Sequence, residues 1–345
     1  MNFSIFSFLL ISLVTISSCD FIFKDVKNKK PNILLISVDD LNDWIGVMGG
    51  HTQAITPNID KLASNGILFT NANCQSPICN PSRASLMTSL YPSSTGIYFL
   101  NPSLGESPIA LKNLLMPDRF LIEGYDVSGA GKLFHNKKEN KLYIDNYWEN
   151  FGKWFGPLTE KKLSSFKGHK LWDWGGLNLD ESETEDSKLA NWAVNQISRK
   201  MNKSFWIGVG FFKPHVPLIV PKKWFDLYPL ETVELPKIFT NDIDDISEYA
   251  KNLSSLNHVA PSHDWVISNK EWKPLVRSYL ACISFVDHQI GKVLNALEKN
   301  NKSQNTFVVL FSDNGFHLGE KERWAKRSLW GNGSNVPLII SGPGL

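Results

Sequence analysis

Apolar runs of strand length alternate along the chain with segments of helical periodicity. Residues 33–38, 204–212 and 306–311 are almost continuously hydrophobic, as in the central strands of a parallel sheet that is covered on both faces. Residues 125–129 and 335–341 predict two further strands. This pattern indicates an α/β fold, in which ligands bind beyond the carboxyl ends of the strands.

Helices are predicted between the strands from periodicity and from signals at their ends. Thr56, Pro57 and Gly66 mark the start and the stop of one helix. Residues 183–201 predict a second helix, and residues 271–299 predict a long amphipathic one. The long helix is assigned to the core, without a catalytic role, from its single apolar stripe: Tyr279, Ile283, Val286, Ile290, Val293 and Leu297.

Composition narrows the class of protein. The chain has 345 residues, of which 42% are hydrophobic, so we expect one large domain or two small ones with a sizeable core. The formal net charge of +2 gives no indication of nucleic-acid binding. The four cysteines are too few for a disulfide framework, and Cys282 falls in a helical pattern that predicts a core position.

The first thirty residues are predicted to be an export signal followed by a tether. Residues 6–14 form an apolar run that is too short to span a bilayer as a mature helix. Residues 16–19, Ile-Ser-Ser-Cys, resemble a bacterial lipobox, although no Lys or Arg precedes the apolar run. We therefore assign residues 1–18 to a signal peptide and residues 19–30 to a tether. The protein is expected in the periplasm or at the cell surface, lipid-anchored at Cys19 or, alternatively, secreted.

A cysteine lies at the start of a predicted helix. Asn80 is a suitable N-cap, Pro81 suits the first helical position, and residues 84–90 follow as helix. Cys79 would then lie where unpaired N–H groups and the helix dipole favour an anion. Taken alone, such a cysteine is more often a small buried hydrophobe, and pairing with Cys74 would consume its thiol.

Oxygen-bearing side chains follow two of the predicted strands. Asp39 and Asp40 come directly after the first apolar run, and Asp313 and Asn314 come shortly after the last. Adjacent carboxylates repel each other unless a positive charge lies between them, although an Asp-Asp pair alone is also compatible with an exposed turn. Because no Cys or His cluster accompanies these four residues, they suggest a hard cation, Ca²⁺ or Mg²⁺.

Basic and aromatic residues follow the other strands. Lys132 and His135 lie three residues apart after one predicted strand, and His215 lies between two prolines after another. Each of them, taken alone, reads as a surface or loop residue. The aromatic side chains of residues 141–180 either wall a sugar-binding cleft or, as we favour, pack a long loop onto the body of the protein.

Taken together, the motifs resemble those of the sulfatase family, and in particular its iduronate-2-sulfatase-like branch. They are Pro-Asn-Ile-Leu-Leu-Ile-Ser-Val-Asp-Asp-Leu at 31–41, Thr-Pro-Asn-Ile-Asp-x-Leu-Ala-x-x-Gly at 56–66, Cys-x-Pro-Ser-Arg at 79–83, Gly-Lys-x-Phe-His at 131–135, Lys-Pro-His-x-Pro at 213–217, and Ser-Asp-Asn-Gly-Phe-His-Leu-Gly-Glu at 312–320 with Trp-Ala-Lys at 324–326. The resemblance covers about residues 31–345. It implies a large mixed, mostly parallel central sheet with helices on both faces, and a smaller C-terminal subdomain that we expect to be missing from this chain.

The resemblance also implies a cofactor and a modified residue. In sulfatases the cysteine at this place is oxidised after translation to formylglycine, and the hydrated aldehyde is the nucleophile. Cys79 is expected to be that residue. Asp39, Asp40, Asp313 and Asn314, together with an oxygen of the converted Cys79, are expected to hold one Ca²⁺ ion, which we prefer over Mg²⁺.

The resemblance implies catalytic roles for the other residues of these motifs. Arg83 and Lys132 are expected to stabilise the hydrated aldehyde, and His135 to take the proton that drives sulfate release. His215 or Lys326 is expected to protonate or steady the leaving alcohol. Lys132, His215 and Lys326 are also expected to contact the sulfate oxygens.

The expected function is hydrolysis of a sulfate ester on a sugar or polysaccharide, with a 2-O-sulfated uronic acid as first choice and a choline-sulfate-like substrate as another. The expected protein partner is a formylglycine-generating or radical sulfatase-maturing enzyme. One alternative is an alkaline-phosphatase-like phosphoesterase or phosphonate hydrolase, against which the cysteine motif and the lack of a His-rich zinc set argue. Another is an inactive, glycan-binding homologue, against which the intact motifs argue. The role of His317 is left open between substrate contact and structure.

Overall fold

The structure, a computed structural model, describes residues 30–239, 241–254 and 260–345. In chain order, its strands are β1 (Asn32–Val38), β2 (Ile67–Leu68), β3 (Asp126–Gly131), β4 (Asn146–Trp148), β5 (Trp174–Leu177), β6 (Phe205–Phe211), β7 (Leu218–Pro221), β8 (Thr306–Ser312), β9 (His317–Leu318), β10 (Trp324–Ala325) and β11 (Leu338–Ser341). Its helices are α1 (Pro57–Ser64), α2 (Cys79–Thr88), α3 (Pro92–Thr95), α4 (Pro108–Leu111), α5 (Met116–Ile122), α6 (Lys137–Tyr143), α7 (Glu185–Ser198), α8 (Lys222–Phe225), α9 (Glu248–Ser254), α10 (His263–Ser268), α11 (Trp272–Lys299) and α12 (Gly331–Ser334).

Seven of the strands form the central sheet, in the order β2-β11-β8-β1-β6-β3-β4. The strands from β8 to β4 in this order run parallel, whereas β11 is antiparallel to both β8 and β2. The three long apolar runs of the sequence are β1, β6 and β8, which lie side by side at the centre. The mixed, mostly parallel α/β sheet predicted from the sequence is confirmed.

Helices cover both faces of this sheet. Leu34 and Ile36 of β1 enter a core that includes the buried sides of α1, α7 and α11. Leu35, between them, points to the opposite core, where it packs with Met87 of α2 and Trp206 of β6. The predicted stripe of the long helix α11 is fully buried in the first core, so its assignment to the core is confirmed.

At the end of β3 the backbone passes very close to β6, and this close contact sets the position of Lys132. Gly131 has φ of +76°, and a Cβ on it would come within 2.1 Å of the carbonyl oxygen of Gly210 on β6. A side chain is therefore excluded here both by conformation and by space. Directly after this turn the side chain of Lys132 enters the carboxyl edge of the sheet.

Two predictions about the beginning of the chain lie outside the described residues. These are the signal peptide, with its lipobox cysteine Cys19, and nearly all of the tether. Within the described part, no helix combines the length and the apolar character that a membrane span requires.

Candidate active site

Side chains from the carboxyl ends of β1 and β8 meet at one edge of the sheet. Asp39 and Asp40 follow β1, and Asp313 and Asn314 follow the neighbouring β8. The backbone N–H of Asp40 donates to Asp313 Oδ1 at 3.1 Å, and Asn314 Nδ2 donates to Asp40 Oδ1 at 2.8 Å. The structure thus brings together, in a buried position, the four residues that the sequence suggested as metal ligands.

Two buried, positively charged side chains lie against these carboxylates. Arg83 donates from Nε to Asp313 Oδ2 at 2.8 Å and from a terminal nitrogen to Asp39 Oδ1 at 3.2 Å. Lys132 Nζ donates to Asp39 Oδ2 at 2.5 Å. Burial alone would raise the pKa of Asp39, but the neighbouring cations, led by Lys132, hold that pKa well below its ordinary value. The neighbouring positive charges therefore keep the carboxylate of Asp39 ionised although it is out of contact with water.

Cys79 is the first residue of α2, and its thiol is in contact with Lys326. Lys326 Nζ lies 2.7 Å from Cys79 Sγ and also donates to Asp40 Oδ1. Burial lowers the pKa of Lys326, but the surrounding negative charge, led by Asp40, outweighs it and raises the pKa well above its ordinary value. Cys74 and Cys79 are both free, so the disulfide considered between them is not formed.

The start of α2 differs from the prediction. The helix begins at Cys79, two residues before Pro81, with Ile78 at the N-cap, so the assignment of Asn80 as the cap is wrong. Pro81 is tolerated as the third helical residue because the first N–H groups of a helix have no intrahelical acceptor. Asn80 instead fixes a neighbouring loop. Its Nδ2 donates to three carbonyl oxygens, those of Phe99 at 2.8 Å, Leu100 at 3.2 Å and Pro102 at 2.9 Å.

His215 faces Asp40 from the loop after β6. Its Nδ1 pairs with the carbonyl oxygen of Val216 at 2.6 Å, which leaves Nε2 at 3.8 Å from Asp40 Oδ2. The imidazole stacks on Phe155, with ring centroids 4.4 Å apart and an interplanar angle of 11°. The same phenyl ring lies 4.9 Å from Lys132 Nζ. Sequence reasoning did not single out Phe155, which is one aromatic residue among many in its loop.

His135 lies half-buried at the cavity beside the cluster. Burial, together with the positive charges of Lys132 and Arg83, lowers the pKa of His135 to about 4. Its Nδ1 has no hydrogen-bond partner among the described residues. In this environment the ring is neutral near pH 7 and can accept a proton.

The donor set fits a hard cation. Asp40 Oδ2 and Asn314 Oδ1 are buried acceptors that lack a hydrogen-bond partner in the described part of the chain. One ligand atom each from Asp39, Cys79 and Asp313 lies within 4.8 Å of the others. Carboxylate and amide oxygens are the ligands that Ca²⁺ and Mg²⁺ prefer, and orphaned buried acceptors are costly unless something binds them.

The cluster opens into a cavity of about 360 Å³, a size that suits a small ligand. Asp40, Cys79, His135, His215 and Lys326 line it together with residues that no sequence motif marked, among them Leu100, Phe155, His169, Leu171 and Arg327. These side chains come from loops far apart in the chain, so spacing along the sequence carries no signal for them.

Some aromatic residues of the long loop, residues 141–180, line the cavity, and others pack the loop onto the body of the protein. Trp172 lines the cavity. Trp148, by contrast, stacks on Trp192 of α7 at 6.2 Å, and Trp154 packs edge-on against Phe212 at 5.2 Å. Most of the contacts therefore attach the loop to the body of the protein, and a smaller part forms a wall of the cavity.

His317 lies below the site and not in it. Its side chain is fully buried, and Nε2 bonds to the hydroxyl of Ser328 at 2.6 Å. Burial, assisted by the charge of Arg323, lowers the pKa of His317 to about 3. Of the two alternatives left open by the sequence, these contacts favour a structural role.

A central, mostly parallel sheet with buried carboxylates, two buried basic side chains and a cysteine at its carboxyl edge defines an α/β domain with one candidate active site. A model of the sulfatase family matches residues 31–345, and the chain belongs to that family. A protein of Formosa agariphila named sulfatase is 39% identical over 331 residues, which cover 92% of this chain and 65% of that protein. Human iduronate 2-sulfatase is 31% identical over 335 residues, covering 91% of this chain and 60% of that enzyme.

Among solved structures, the phosphonate monoester hydrolase of Agrobacterium radiobacter is similar with a TM-score of 0.72 at 19% identity. The match covers 91% of this chain and 68% of that one, and at this identity it shows the fold alone. The chain spans about 60–65% of the length of the first curated relatives it matches.

Proposed function

We propose that this protein is a sulfuric ester hydrolase that removes sulfate from a sulfated sugar or polysaccharide. The observation that carries the proposal is the position of Cys79. It lies in the first turn of α2, against Lys326, at a cavity that also holds Asp40 and borders the rest of the carboxylate cluster. A sulfate ester carries a ring of negative oxygens, so its hydrolysis needs fixed positive charge around a buried nucleophile.

We infer that Cys79 is converted to formylglycine and that Asp39, Asp40, Asp313 and Asn314 hold a Ca²⁺ ion. The hydrated aldehyde would supply one hydroxyl for in-line attack on sulfur, in which that hydroxyl loses its proton and the S–O bond to the alcohol breaks, so that the alcohol leaves with a proton. Deprotonation of the second hydroxyl would then release sulfate as the aldehyde re-forms, and water would hydrate the aldehyde again. The cation offsets the negative charge of the ester while it is bound. The partnerless acceptors Asp40 Oδ2 and Asn314 Oδ1 support the metal assignment.

Three residues act on the nucleophile in this proposal. Arg83 and Lys132 bring positive charge to the buried cluster and so stabilise a negative oxygen at residue 79. His135 takes the proton from the second hydroxyl, a role supported by its neutral ring and its unpartnered Nδ1. Removing the proton at this point is what allows sulfate to leave.

Two residues act on the substrate. Lys326 and His215 flank Asp40 at the cavity, where both can contact sulfate oxygens together with Lys132. One of the two protonates or steadies the leaving alcohol. His215 is held for this role by its Nδ1 contact and by stacking on Phe155.

The cellular setting belongs to the same proposal. Export by the signal at residues 1–18, with lipid attachment at Cys19, would place the protein where external sulfated polysaccharide is degraded. A maturing enzyme, either formylglycine-generating or of the radical type, is then the required protein partner. A 2-O-sulfated uronic acid is our first choice of substrate, supported by the similarity to iduronate 2-sulfatase.

The test begins with mass spectrometry of the peptide that carries Cys79, from protein made in its own host. We expect a mass lowered by the change from thiol to aldehyde, and turnover of a panel of sulfated sugars and 4-nitrophenyl sulfate. Cys79→Ala should lower kcat by at least about a thousandfold, because the nucleophile is lost. Cys74→Ala is the matched control, since that half-buried free cysteine lies outside the cavity.

Two outcomes would overturn the proposal. Full activity of Cys79→Ala would remove the nucleophile assignment. Hydrolysis of 4-nitrophenyl phosphate or a phosphonate ester, with no sulfate ester turned over, would favour the phosphoesterase alternative.

A further inference from the structure

The cavity at Cys79 continues into a second cleft. Ile78 and Arg327 line both spaces, and the outer cleft has a volume of about 490 Å³. Its outer wall carries Tyr98 and Phe99, which are 52% and 64% exposed, and Leu329. Large apolar side chains gathered at the mouth of a cavity, and left in contact with water, mark a ligand-binding groove more often than an ordinary surface.

The aromatic wall of this outer cleft is held in place from the nucleophile side. Asn80, directly after Cys79, donates its side-chain N–H groups to carbonyl oxygens in the loop that contains Phe99. Asn80 is itself 2% exposed, so water does not compete for these hydrogen bonds. The distance from residue 79 to the backbone of the loop that carries Tyr98 and Phe99 is therefore set by buried hydrogen bonds, as a binding wall of defined geometry requires.

Arg327 stands where the two spaces join. Its backbone N–H donates to the carbonyl oxygen of Pro77 at 3.0 Å, and its φ is +69°, in the left-handed region. Its guanidinium has no hydrogen-bond or ion-pair partner among the described residues. An arginine that borders a cleft without a carboxylate partner offers its planar set of donors to an anion.

We propose that the outer cleft binds a second sugar unit of the substrate, with an anionic substituent of that unit, sulfate or carboxylate, on Arg327 and a sugar face on Tyr98 and Phe99. The juxtaposition that carries this is one guanidinium without a partner among the described residues and two exposed rings, on a loop whose backbone Asn80 holds, directly beside the space that holds Cys79. The inference rests on the proposed sulfatase activity and narrows its substrate to an anionic oligosaccharide.

The test compares two substrates that end in the same sulfated residue, a monosaccharide and a tetrasaccharide, with 4-nitrophenyl sulfate as a reference. For the wild type we expect a KM at least about tenfold lower for the tetrasaccharide. Arg327→Gln should remove most of that preference, mainly through KM, and Arg327→Lys should retain part of it. Tyr98→Ala combined with Phe99→Ala should also reduce the preference.

The matched control is Arg199→Gln. Arg199 is an exposed arginine that follows α7 and precedes β6, so it lies at the opposite edge of the sheet from the site. This variant should keep the wild-type preference. A second readout that needs no turnover is calorimetric binding of the tetrasaccharide to the Cys79→Ala protein, with and without Arg327→Gln.

The outcomes separate this inference from the proposed function. If the wild type hydrolyses sulfate esters but prefers neither saccharide, or if Arg327→Gln lowers activity equally on all three substrates, the second subsite is wrong. If no sulfate ester is turned over at all, the proposed function fails and the subsite fails with it.

Discussion

Lys132 and Lys213 hold corresponding places in the chain, yet their surroundings differ. Each follows closely on a central strand, β3 or β6, and each is almost completely buried. Each also precedes a histidine of the cavity, His135 in one case and His215 in the other. The two positions are alike in the chain, yet the sequence analysis assigned a role at the nucleophile and the sulfate to Lys132 and none to Lys213.

The contacts of the two ammonium groups separate them. Lys132 Nζ binds the carboxylate of Asp39 at 2.5 Å. Lys213 Nζ donates to backbone carbonyl oxygens, that of Phe155 at 3.1 Å and that of Pro217 at 2.6 Å. Lys132 therefore adds charge to the carboxyl edge of the sheet, whereas Lys213 fixes the backbone of two loops.

The neighbouring aspartates differ in the same way. Asp39 is held ionised by cations, as described above. Asp186 accepts from the backbone N–H groups of Phe212 at 2.8 Å and Lys213 at 3.0 Å. Burial is the largest influence and raises the pKa of Asp186 to about 6, although those N–H groups and the charge of Lys213 oppose it.

The comparison shows that the partners of a buried charged side chain indicate whether it belongs to the candidate active site or holds a loop in place. At the site, charges are paired with charges, and those pairs can be opened by a metal or a substrate. Around Lys213 and Asp186, each ionisable side chain is hydrogen-bonded to backbone groups, and these bonds fix the loops. Both lysines meet at Phe155, since Lys213 holds its carbonyl while Lys132 lies against its ring and His215 stacks on it.

The largest effect is expected from Lys132→Met. It leaves the buried carboxylate of Asp39 with Arg83 as its remaining strong cation, and it removes positive charge from residue 79. We expect kcat/KM to fall by at least about a thousandfold and the free energy of unfolding to fall by about 3–5 kcal/mol. Ca²⁺ affinity, measured by calorimetry, should also change.

The matched control for this variant is Lys137→Met, since that lysine is half-exposed and pairs with Glu149 at the surface. It should have wild-type activity and stability. Wild-type kcat/KM in Lys132→Met would contradict the comparison, because Lys132 would then contribute no charge to the reaction and would not differ from Lys213 in this respect.

A smaller effect is expected from Lys213→Met, because Lys213 is a positioning residue. The variant leaves two buried carbonyl groups without a donor, which should lower the free energy of unfolding by about 1–3 kcal/mol. The stacking of Phe155 on His215 should loosen, so we expect kcat/KM for the sulfate ester to fall by about tenfold, mainly through KM.

The readout that sharpens the comparison is Ca²⁺ binding, which Lys213→Met should leave at the wild-type value while Lys132→Met alters it. If the Lys213 variant changed Ca²⁺ affinity as much as the Lys132 variant, its assignment to loop support would be wrong.

The difference between the two lysines also shows what could be predicted from the sequence. Continuous apolar runs predicted β1, β6 and β8, and side chains that directly follow those strands must meet at one sheet edge. That is why Asp39, Asp40, Asp313 and Asn314 can be grouped from the sequence, and hydrogen bonds link Asp40 to Asp313 and Asn314 in the structure. Motif resemblance added Cys79 and the cationic residues to this group.

The rest depends on contacts between distant loops. Phe155 and Arg327 reach the cavity from irregular segments in which no periodicity fixes the direction of a side chain. The sequence predicts the start of α2 two residues too late, because Asn80 and Pro81 are favourable residues for a helix start. In the folded protein the side chain of Asn80 is instead hydrogen-bonded to the loop at Phe99. Local propensity is overridden wherever a tertiary hydrogen bond of this kind is available.

The smallest effect on catalysis is expected from Asp186→Asn, which tests the support side of the comparison by pH. The pKa of Asp186 rises from an ordinary 3.8 in the unfolded chain to about 6 in the folded protein. Between these values the folded state binds more protons than the unfolded state, so this group's contribution to stability falls as the pH rises. The contribution is fully present below about pH 4 and is lost above about pH 6, an amount of at most about 3 kcal/mol at 1.36 kcal/mol per pKa unit.

Asp186→Asn removes this titration and, by losing one acceptor for an N–H group, shifts stability by an amount that does not depend on pH. The measurement is the free energy of unfolding of both proteins by chemical denaturation from pH 4.5 to pH 7.5. We expect the wild type to lose stability relative to the variant as the pH rises, with the change centred below about pH 6, and kcat at pH 7 to stay within about twofold. A difference that is flat across this range would show that folding does not raise the pKa of Asp186. A difference that grows in favour of the wild type would show that Asp186, like Asp39, is held ionised in the folded protein.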